Sequence, residues 1–232
     1  MLPAGPVALI PRHRLDRRRQ NTVRVAAGDA DADRAHVDAD ASAAPGVDWN
    51  RRVAATAEGG WLVGNPKAPV KLVEYASYTC PHCAHFATEG WPALRRDYIA
   101  TGKLSLELRQ FALNPIDLTE GMLVRCAASP AAAFALGEKM FAQQQAILAN
   151  PPTKADAEAL EAMPAARVHA ELARIMKIDQ WAAANGLTPA RVKTCLADLT
   201  LRDRIVAIRK TAAETFNINS TPSFVLNGKL LD

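Results

Sequence analysis

The chain has 232 residues and a net charge of +4, from 28 basic and 24 acidic side chains. Nearly half of the residues are hydrophobic, so the chain can bury the core of one large domain or of one domain with an insertion. No basic stripe with interleaved aromatic residues is present, and no apolar run approaches the roughly 18–20 residues that cross a bilayer. The composition therefore argues against a nucleic-acid-binding protein and against a membrane span.

The first 60 residues differ in composition from the rest of the chain. An arginine-rich stretch is followed at residues 28–46 by a stretch of low complexity, rich in alanine and aspartate. A secretory signal needs an apolar stretch of about 7–15 residues, whereas the longest apolar run here covers only residues 7–10. We therefore expect residues 1–60 to be disordered, or to be a targeting or misassigned segment, with order beginning near Trp61.

Two strands with a helix between them are predicted next. The segment Val70–Tyr78 is rich in β-branched and aromatic residues, which indicates a largely buried strand. The segment Leu104–Leu113 alternates between apolar and polar residues and predicts a second strand. Four large side chains at helical spacing predict the helix between them: Phe86, Trp91, Leu94 and Tyr98.

Only helical patterning is found from about residue 117 to residue 217. Thr188 followed by Pro189 is typical of a helix start, with a capping hydroxyl before the first helical position. After the helices, a short apolar strand, an Asn-Gly turn at residues 227–228 and the start of a partner strand predict a hairpin. This order predicts an α/β fold in which residues 61–116 and 200–232 form one domain and residues 117–199 form an inserted all-helical domain.

The chemistry is concentrated in Cys80-Pro81-His82-Cys83, directly after the first predicted strand. Attachment of a c-type haem requires a histidine immediately after the second cysteine, and Ala84 occupies that position. A structural zinc site usually needs four ligands, often from two cysteine pairs. The other two cysteines, Cys126 and Cys195, are isolated in helical segments. His82, His85 or His169 could complete a ligand set, but no spacing favours any of them.

Redox chemistry fits the position of the pair better than either alternative. Cys80 is predicted at a helix N-terminus, where free N–H groups and the helix dipole stabilise a thiolate. Cys83 lies one turn further on and faces the same side, so the two sulfurs can form a disulfide. Pro81 suits the first helical position, and His82 brings a dipole or a positive charge to the Cys80 sulfur. Because a stabilised thiolate makes the disulfide easier to reduce, the pair is predicted to donate disulfides.

Two segments carry a resemblance to a known family. The segment KLVEYASYTCPHCAHF resembles the active-site strand and helix of DsbA-like thiol:disulfide oxidoreductases, which have the thioredoxin fold. The segment Ser220–Phe224, STPSF, resembles the loop in which such proteins place a cis-proline beside the cysteine pair. The resemblance covers residues 60–232 and implies a thioredoxin-like fold with an inserted all-helical domain and without a cofactor or metal.

The resemblance also implies roles for individual residues. Cys80 corresponds to the exposed nucleophile and Cys83 to its buried partner. Pro222 corresponds to the cis-proline, and the backbone of Thr221 before it would pair with an extended substrate. Glu74 matches a buried acid that would relay a proton to or from Cys83; the alternative is that Glu74 is an ordinary strand residue on a solvated face.

Three functional hypotheses follow. The first is a periplasmic dithiol oxidase that forms a mixed disulfide at Cys80 and is re-oxidised by a membrane partner, although no export signal is recognisable. The second is a disulfide isomerase or reductase of the same fold, because Thr221 before the proline is more typical of the isomerase-like branch. The third is a non-catalytic metal-binding or peptide-binding module. The expected partners are reduced or misoxidised substrate proteins, with no nucleic acid and no small-molecule cofactor.

Two expectations concern the remainder of the chain. An oxidising compartment favours a structural disulfide between Cys126 and Cys195 over two free buried cysteines. The family would complete its last strand and add a terminal helix after Asp232, so we expect the sequence to be truncated or incomplete.

Overall fold

A computed structural model describes residues 47–231, which form a mixed six-stranded sheet with helices on both faces. The strands are β1 Val53–Ala55, β2 Trp61–Gly64, β3 Val70–Ala76, β4 Leu104–Gln110, β5 Ser223–Leu226 and β6 Lys229–Leu230. The helices are α1 Pro81–His85, α2 Trp91–Leu94, α3 Pro115–Arg125, α4 Pro130–Ala142, α5 Gln144–Ile147, α6 Lys154–Glu161, α7 Ala165–Ile175, α8 Ile178–Ala184, α9 Pro189–Leu196 and α10 Leu199–Phe216.

Strand β3 lies in the interior of the sheet, whose order is β1-β2-β4-β3-β5-β6. It pairs parallel with β4, because the helix over residues 81–99 carries the chain back across the sheet, and antiparallel with β5. The hairpin predicted near the end of the sequence is confirmed as β5 and β6. Its turn residues Asn227 and Gly228 both have positive φ, as the tight turn of a two-residue hairpin requires.

Side chains alternate between the two faces of β3, and both faces are covered. Leu72 and Ala76 pack into the main core together with Trp91 of the first helical stretch. Tyr75 points to the opposite face, where it packs with the α10 side chains Ile208 and Ala212. Because β3 is covered on both sides, its apolar pattern is nearly continuous, which is the signal that identified it in the sequence.

Order begins earlier than the sequence predicts. Residues 49–51 form a 3₁₀ turn, and β1 adds a strand to the edge of the sheet by pairing with β2. The predicted boundary at Trp61 is therefore wrong for residues 47–60, because a three-residue strand of Val and Ala gains its stability from pairing and has little signal of its own. The prediction for residues 1–46 lies outside the described residues.

The helix after β3 departs from regular α geometry. Helices α1 and α2 belong to one continuous stretch over residues 81–99, joined and followed by π-helical turns at Phe86–Gly90 and Arg95–Ile99. A π turn is wider than an α turn and shifts the face that later residues present. Consequently Tyr98, predicted on the apolar face, is 51% exposed, whereas Ile99 and Trp91 are buried and Phe86 is only half-buried.

The predicted strands end too late. Strand β3 stops at Ala76 and β4 stops at Gln110, so the buried aromatic residues Tyr78 and Phe111 belong to the loops that follow. A buried loop residue gives the same apolar signal in a sequence as a buried strand residue, which explains why the predicted strands are too long. The predicted helix start is confirmed, since Thr188 accepts a hydrogen bond from the N–H of Arg191 and Pro189 is the first residue of α9.

Between β4 and α10 the chain forms a block of helices. A disulfide joins Cys126, directly after α3, to Cys195 in α9. Arg191 of α9 also donates hydrogen bonds to the carbonyl groups of Cys126 and Ala127. The block is thus closed at this point by one covalent bond and by polar contacts beside it.

Replacing both Cys126 and Cys195 by alanine is expected to lower the free energy of unfolding by about 4 kcal/mol. The sequence separation of 69 residues gives this figure in the chain-entropy account of a cross-link. Denaturant unfolding of the oxidised wild type and the double variant measures the difference. Equal unfolding free energies would show that the bond does not stabilise the fold.

Candidate active site

Cys80 occupies the end of the loop that joins β3 to the first helical stretch. It is the N-cap residue, with extended backbone angles, and Pro81 fills the first helical position as predicted from its fixed φ. Cys83 follows after one turn and points into the main core. Both cysteines are in the thiol form.

The loop before β5 completes the surroundings of Cys80. Tyr75 near the end of β3 pairs with Ser223 at the start of β5, so this register brings residues 221–222 beside the loop that carries Cys80. The Thr221–Pro222 peptide bond is cis. The Cys80 thiol donates to the backbone carbonyl of Thr221 at 3.4 Å, across 141 positions of sequence.

Cys80 is less accessible than the sequence predicts. The family resemblance implies an exposed nucleophile at this position, whereas the residue is only 6% exposed. The reason is the neighbouring loop, because Thr221 lies against the sulfur and covers part of it. Cys83 is 0% exposed, so Cys80 is the more accessible residue of the pair.

The environment of Cys83 favours its protonated form. Burial raises the pKa of the Cys83 thiol, and the backbone of Ser77 only partly offsets this effect. Thr221 contacts Cys80 through its carbonyl group, while its own hydroxyl has no hydrogen-bond partner among residues 47–231. A thiolate released at Cys83 would be unstable unless a nearby group supplied a proton.

Glu74 is a buried acid in the middle of β3. Its side chain is 0% exposed, so the alternative of a solvated strand face is wrong. The indole N–H of Trp91 donates to Glu74 Oε2 at 2.9 Å, and within residues 47–231 the other carboxyl oxygen has no hydrogen-bond partner. Burial raises the pKa of Glu74 to about 8, although the bond from Trp91 acts in the opposite direction.

The three histidines of the zinc hypothesis lie in different surroundings. His82 and His85 are exposed on the first helical turn, whereas His169 is buried in α7, where Nδ1 lies 2.8 Å from the hydroxyl of Thr119. In the described part of the chain, no cluster of three or more His, Cys, Asp or Glu side chains is arranged to hold a metal ion.

Several residues that support the site were not singled out in the sequence. Asp117 accepts a hydrogen bond from the N–H of Tyr78 at 3.0 Å, and Asn114 donates to the hydroxyl of Thr79 at 2.9 Å. Gln144 donates to two carbonyl groups of the same loop. Asn114 is the helix cap that precedes Pro115, a recognisable signal. Asp117 and Gln144 lie in helices without a distinguishing motif, so no local pattern indicates them.

A dithiol of unequal burial, placed between the central strand and a cis-proline loop, defines the redox centre of a thioredoxin-fold protein. The sequence profile of the thioredoxin family matches residues 56–232. The chain therefore belongs to the thioredoxin family and is a DsbA-like member of it, with its helical block inserted between β4 and α10.

Two solved structures illustrate the relationship. The chain is 31% identical to a protein-disulfide isomerase from Novosphingobium aromaticivorans, with a TM-score of 0.70 over 73% of this chain and 87% of that one. It is 27% identical to alpha-DsbA1 of Wolbachia pipientis, with a TM-score of 0.55 over 74% of this chain and 75% of that one.

Among curated proteins, the chain is similar to rickettsial proteins whose provisional name is protein-disulfide oxidoreductase. It is 29% identical over 180 residues to the protein of Rickettsia typhi, covering 72% of this chain and 54% of the relative. A relative in Rickettsia bellii is 28% identical over 171 residues, covering 74% of this chain and 58% of the relative. The chain thus spans about half the length of the curated relatives that it matches.

Proposed function

We propose that the protein is a thiol:disulfide oxidoreductase that donates a Cys80–Cys83 disulfide to the thiols of substrate proteins. The observation that carries the proposal is the asymmetry of the pair. The Cys80 sulfur lies at the helix N-terminus against the Thr221 carbonyl group, while Cys83 is fully enclosed. This asymmetry leaves Cys80 as the sulfur that an incoming thiolate can reach.

The reaction has two exchange steps. A substrate thiolate attacks Cys80 Sγ in the disulfide, forming a mixed disulfide and releasing Cys83 as a thiolate that takes up a proton. A second substrate thiolate then attacks the substrate sulfur of the mixed disulfide and releases the Cys80 thiolate. Two electrons pass from the substrate to the cysteine pair, the substrate gains one disulfide, and both cysteines end reduced.

Glu74 is the proposed proton donor for Cys83. A carboxyl group with a pKa of about 8 holds a proton at neutral pH, which an ordinary glutamate does not. Its side chain is bonded to Trp91, which belongs to the same core cluster as Cys83, and burial destabilises the thiolate that the first exchange step would release there. Proton transfer from Glu74 would remove that charge from the protein interior.

Thr221 is the proposed substrate-binding residue, together with Pro222. Its carbonyl group lies beside the reacting sulfur, and an extended substrate segment next to Cys80 would align with this backbone in the manner of strand addition. Pro222 has no N–H group, so Thr221 is the residue of this pair that offers backbone hydrogen bonds in both directions.

Isomerisation is the second candidate, and two observations favour it. The solved structure that is 31% identical is described as a protein-disulfide isomerase, and threonine precedes the proline of the site. In that reaction Cys80 would begin as a thiolate and attack an existing substrate disulfide. Oxidase and isomerase use the same atoms and differ in the redox state in which the cycle begins.

The proposed partners are substrate proteins and a membrane protein that resets the cysteine pair, and the proposed location is the periplasm. An oxidising compartment suits the disulfide between Cys126 and Cys195. Across residues 47–231, the structure contains no helix with the length and hydropathy of a membrane span.

Equilibration of the Cys80–Cys83 pair with glutathione tests the proposal. The oxidase requires a disulfide that glutathione reduces readily, because a stabilised dithiol makes the pair a strong oxidant. Trapping with acid and thiol alkylation, followed by mass spectrometry, gives the fraction reduced at each glutathione ratio. A potential near that of thioredoxin, about −270 mV, would instead indicate a reductase.

A further inference from the structure

The loop over residues 77–80 places Cys80 and must satisfy its own backbone hydrogen bonds. It does so partly from within, since the N–H of Cys80 donates to the carbonyl group of Ser77 at 3.2 Å and the N–H of Thr79 donates to the Ser77 hydroxyl at 3.1 Å. These bonds leave the carbonyl and N–H groups of Tyr78 for other partners, while the Cys80 carbonyl group accepts the N–H of Ala84 and can accept a second donor.

The helical block supplies those partners. The Nε2 atom of Gln144, in α5, donates to the carbonyl oxygen of Tyr78 at 2.6 Å and to that of Cys80 at 3.0 Å. The side chain is buried and reaches Cys80 across 64 positions of sequence. Asp117 of α3 accepts the Tyr78 N–H from the other side. One amide nitrogen therefore bridges the carbonyl groups on both sides of Thr79.

We propose that Gln144 is a positioning residue of the thiol exchange and that it favours the dithiol form of the cysteine pair. The inference rests on the proposed function and extends it to the inserted helices. Gln144 touches no reacting atom, and it acts by holding the backbone of Cys80 so that the sulfur remains between the helix N-terminus and the Thr221 carbonyl group.

The two redox forms depend on this contact to different extents. In the disulfide form, the bond to Cys83 fixes Cys80. In the dithiol form, that bond is absent, and the Cys80 carbonyl group is held by the N–H of Ala84 at 3.1 Å and by Gln144. Loss of the Gln144 bonds would therefore destabilise the dithiol form more, which makes the disulfide harder to reduce. A purely structural contact would stabilise both forms equally and would leave their equilibrium unchanged.

The test compares Gln144→Met with Gln145→Met. Methionine keeps the length of glutamine and cannot donate a hydrogen bond, and Gln145 is an exposed neighbour in the same helix. We expect Gln144→Met to shift the glutathione equilibrium about tenfold toward the disulfide form, the size of effect that one lost net hydrogen bond produces. The Gln145→Met control should share the wild-type equilibrium constant.

A second variant covers the case in which Gln144→Met does not fold. Gln144→Glu keeps the shape of the side chain, and its carboxyl group donates a hydrogen bond only when protonated. At pH 7, the glutathione equilibrium of Gln144→Glu should shift toward the disulfide form, as for Gln144→Met. At pH 5, its equilibrium constant should lie closer to the wild-type constant.

The outcomes separate this inference from the function on which it rests. If the wild type does not exchange with glutathione, both the proposed function and the role of Gln144 are overturned. If the wild type exchanges and the Gln144 variants share its equilibrium constant, or shift it toward the dithiol, only the role of Gln144 fails. If a Gln144 substitution lowers the melting temperature by the same amount in both redox forms, the contact is structural alone.

Discussion

With Cys83 replaced by serine, Cys80 is expected to collect a stable glutathione adduct when the protein meets oxidised glutathione. The Cys80 thiolate attacks one sulfur of glutathione disulfide and releases one glutathione, and no second cysteine remains to resolve the mixed disulfide. The reciprocal variant, Cys80→Ser, should form no adduct on the same timescale, because Cys83 is fully buried and burial raises its pKa.

Intact mass spectrometry at intervals after mixing measures this difference. The disulfide between Cys126 and Cys195 is present in both variants and serves as an internal reference, since neither of its sulfurs should gain mass. Equal adduct formation at Cys83 in the Cys80→Ser variant would contradict the assignment of Cys80 as the nucleophile. Failure of both variants to react would contradict the redox function itself.

The second large effect concerns Glu74 and the pH dependence of stability. In the folded protein, Glu74 keeps its proton up to a pKa of about 8, whereas the unfolded chain loses that proton near the ordinary value of 4.5. The unfolded state therefore binds fewer protons between these values, and this group makes the free energy of unfolding fall as pH rises. With Cys80 and Cys83 reduced, we expect the free energy of unfolding to fall between pH 5 and pH 8 by about 3 kcal/mol less in Glu74→Gln than in the wild type.

Denaturant unfolding of the wild type and Glu74→Gln at a series of pH values provides the measurement. Other buried acids, such as Glu120, contribute to the wild-type slope and cancel in the comparison. Because the hydrogen bond from Trp91 lowers the pKa of Glu74, Trp91→Phe should raise that pKa further. The free energy of unfolding should then continue to fall to a higher pH than in the wild type. Parallel curves for the wild type and Glu74→Gln would show that Glu74 is ionised in the folded protein at neutral pH.

The sequence predicts the parts of this molecule that carry local signals. The buried strand before Cys80 and the Asn-Gly hairpin are both found where their patterns indicate. Each depends on residue types within a few positions, namely β-branched runs and turn residues. The fold class follows from the order of these elements and from the family resemblance that they support.

The remaining features depend on contacts between distant residues. The π turns that expose Tyr98 add residues to a helix without leaving a motif, and β1 exists because β2 pairs with it. Gln144 resembles the two glutamines beside it, and only the folded chain distinguishes it by placing it under the loop that carries Cys80. The burial of Cys80 likewise involves a loop 141 positions away.

The pairing of β5 with β3 has a consequence for biogenesis. Cys80 and Cys83 leave the ribosome long before Thr221, so during synthesis the cysteine pair exists for a time without the loop that lies against it. The contact spans 141 residues, a separation that places it among the slow, long-range steps of folding. Until that contact forms, Cys80 is not covered by Thr221, and the other three cysteines of the same chain are the nearest partners for its sulfur. Correct pairing of Cys126 with Cys195 must therefore compete with the reactive pair of the same chain.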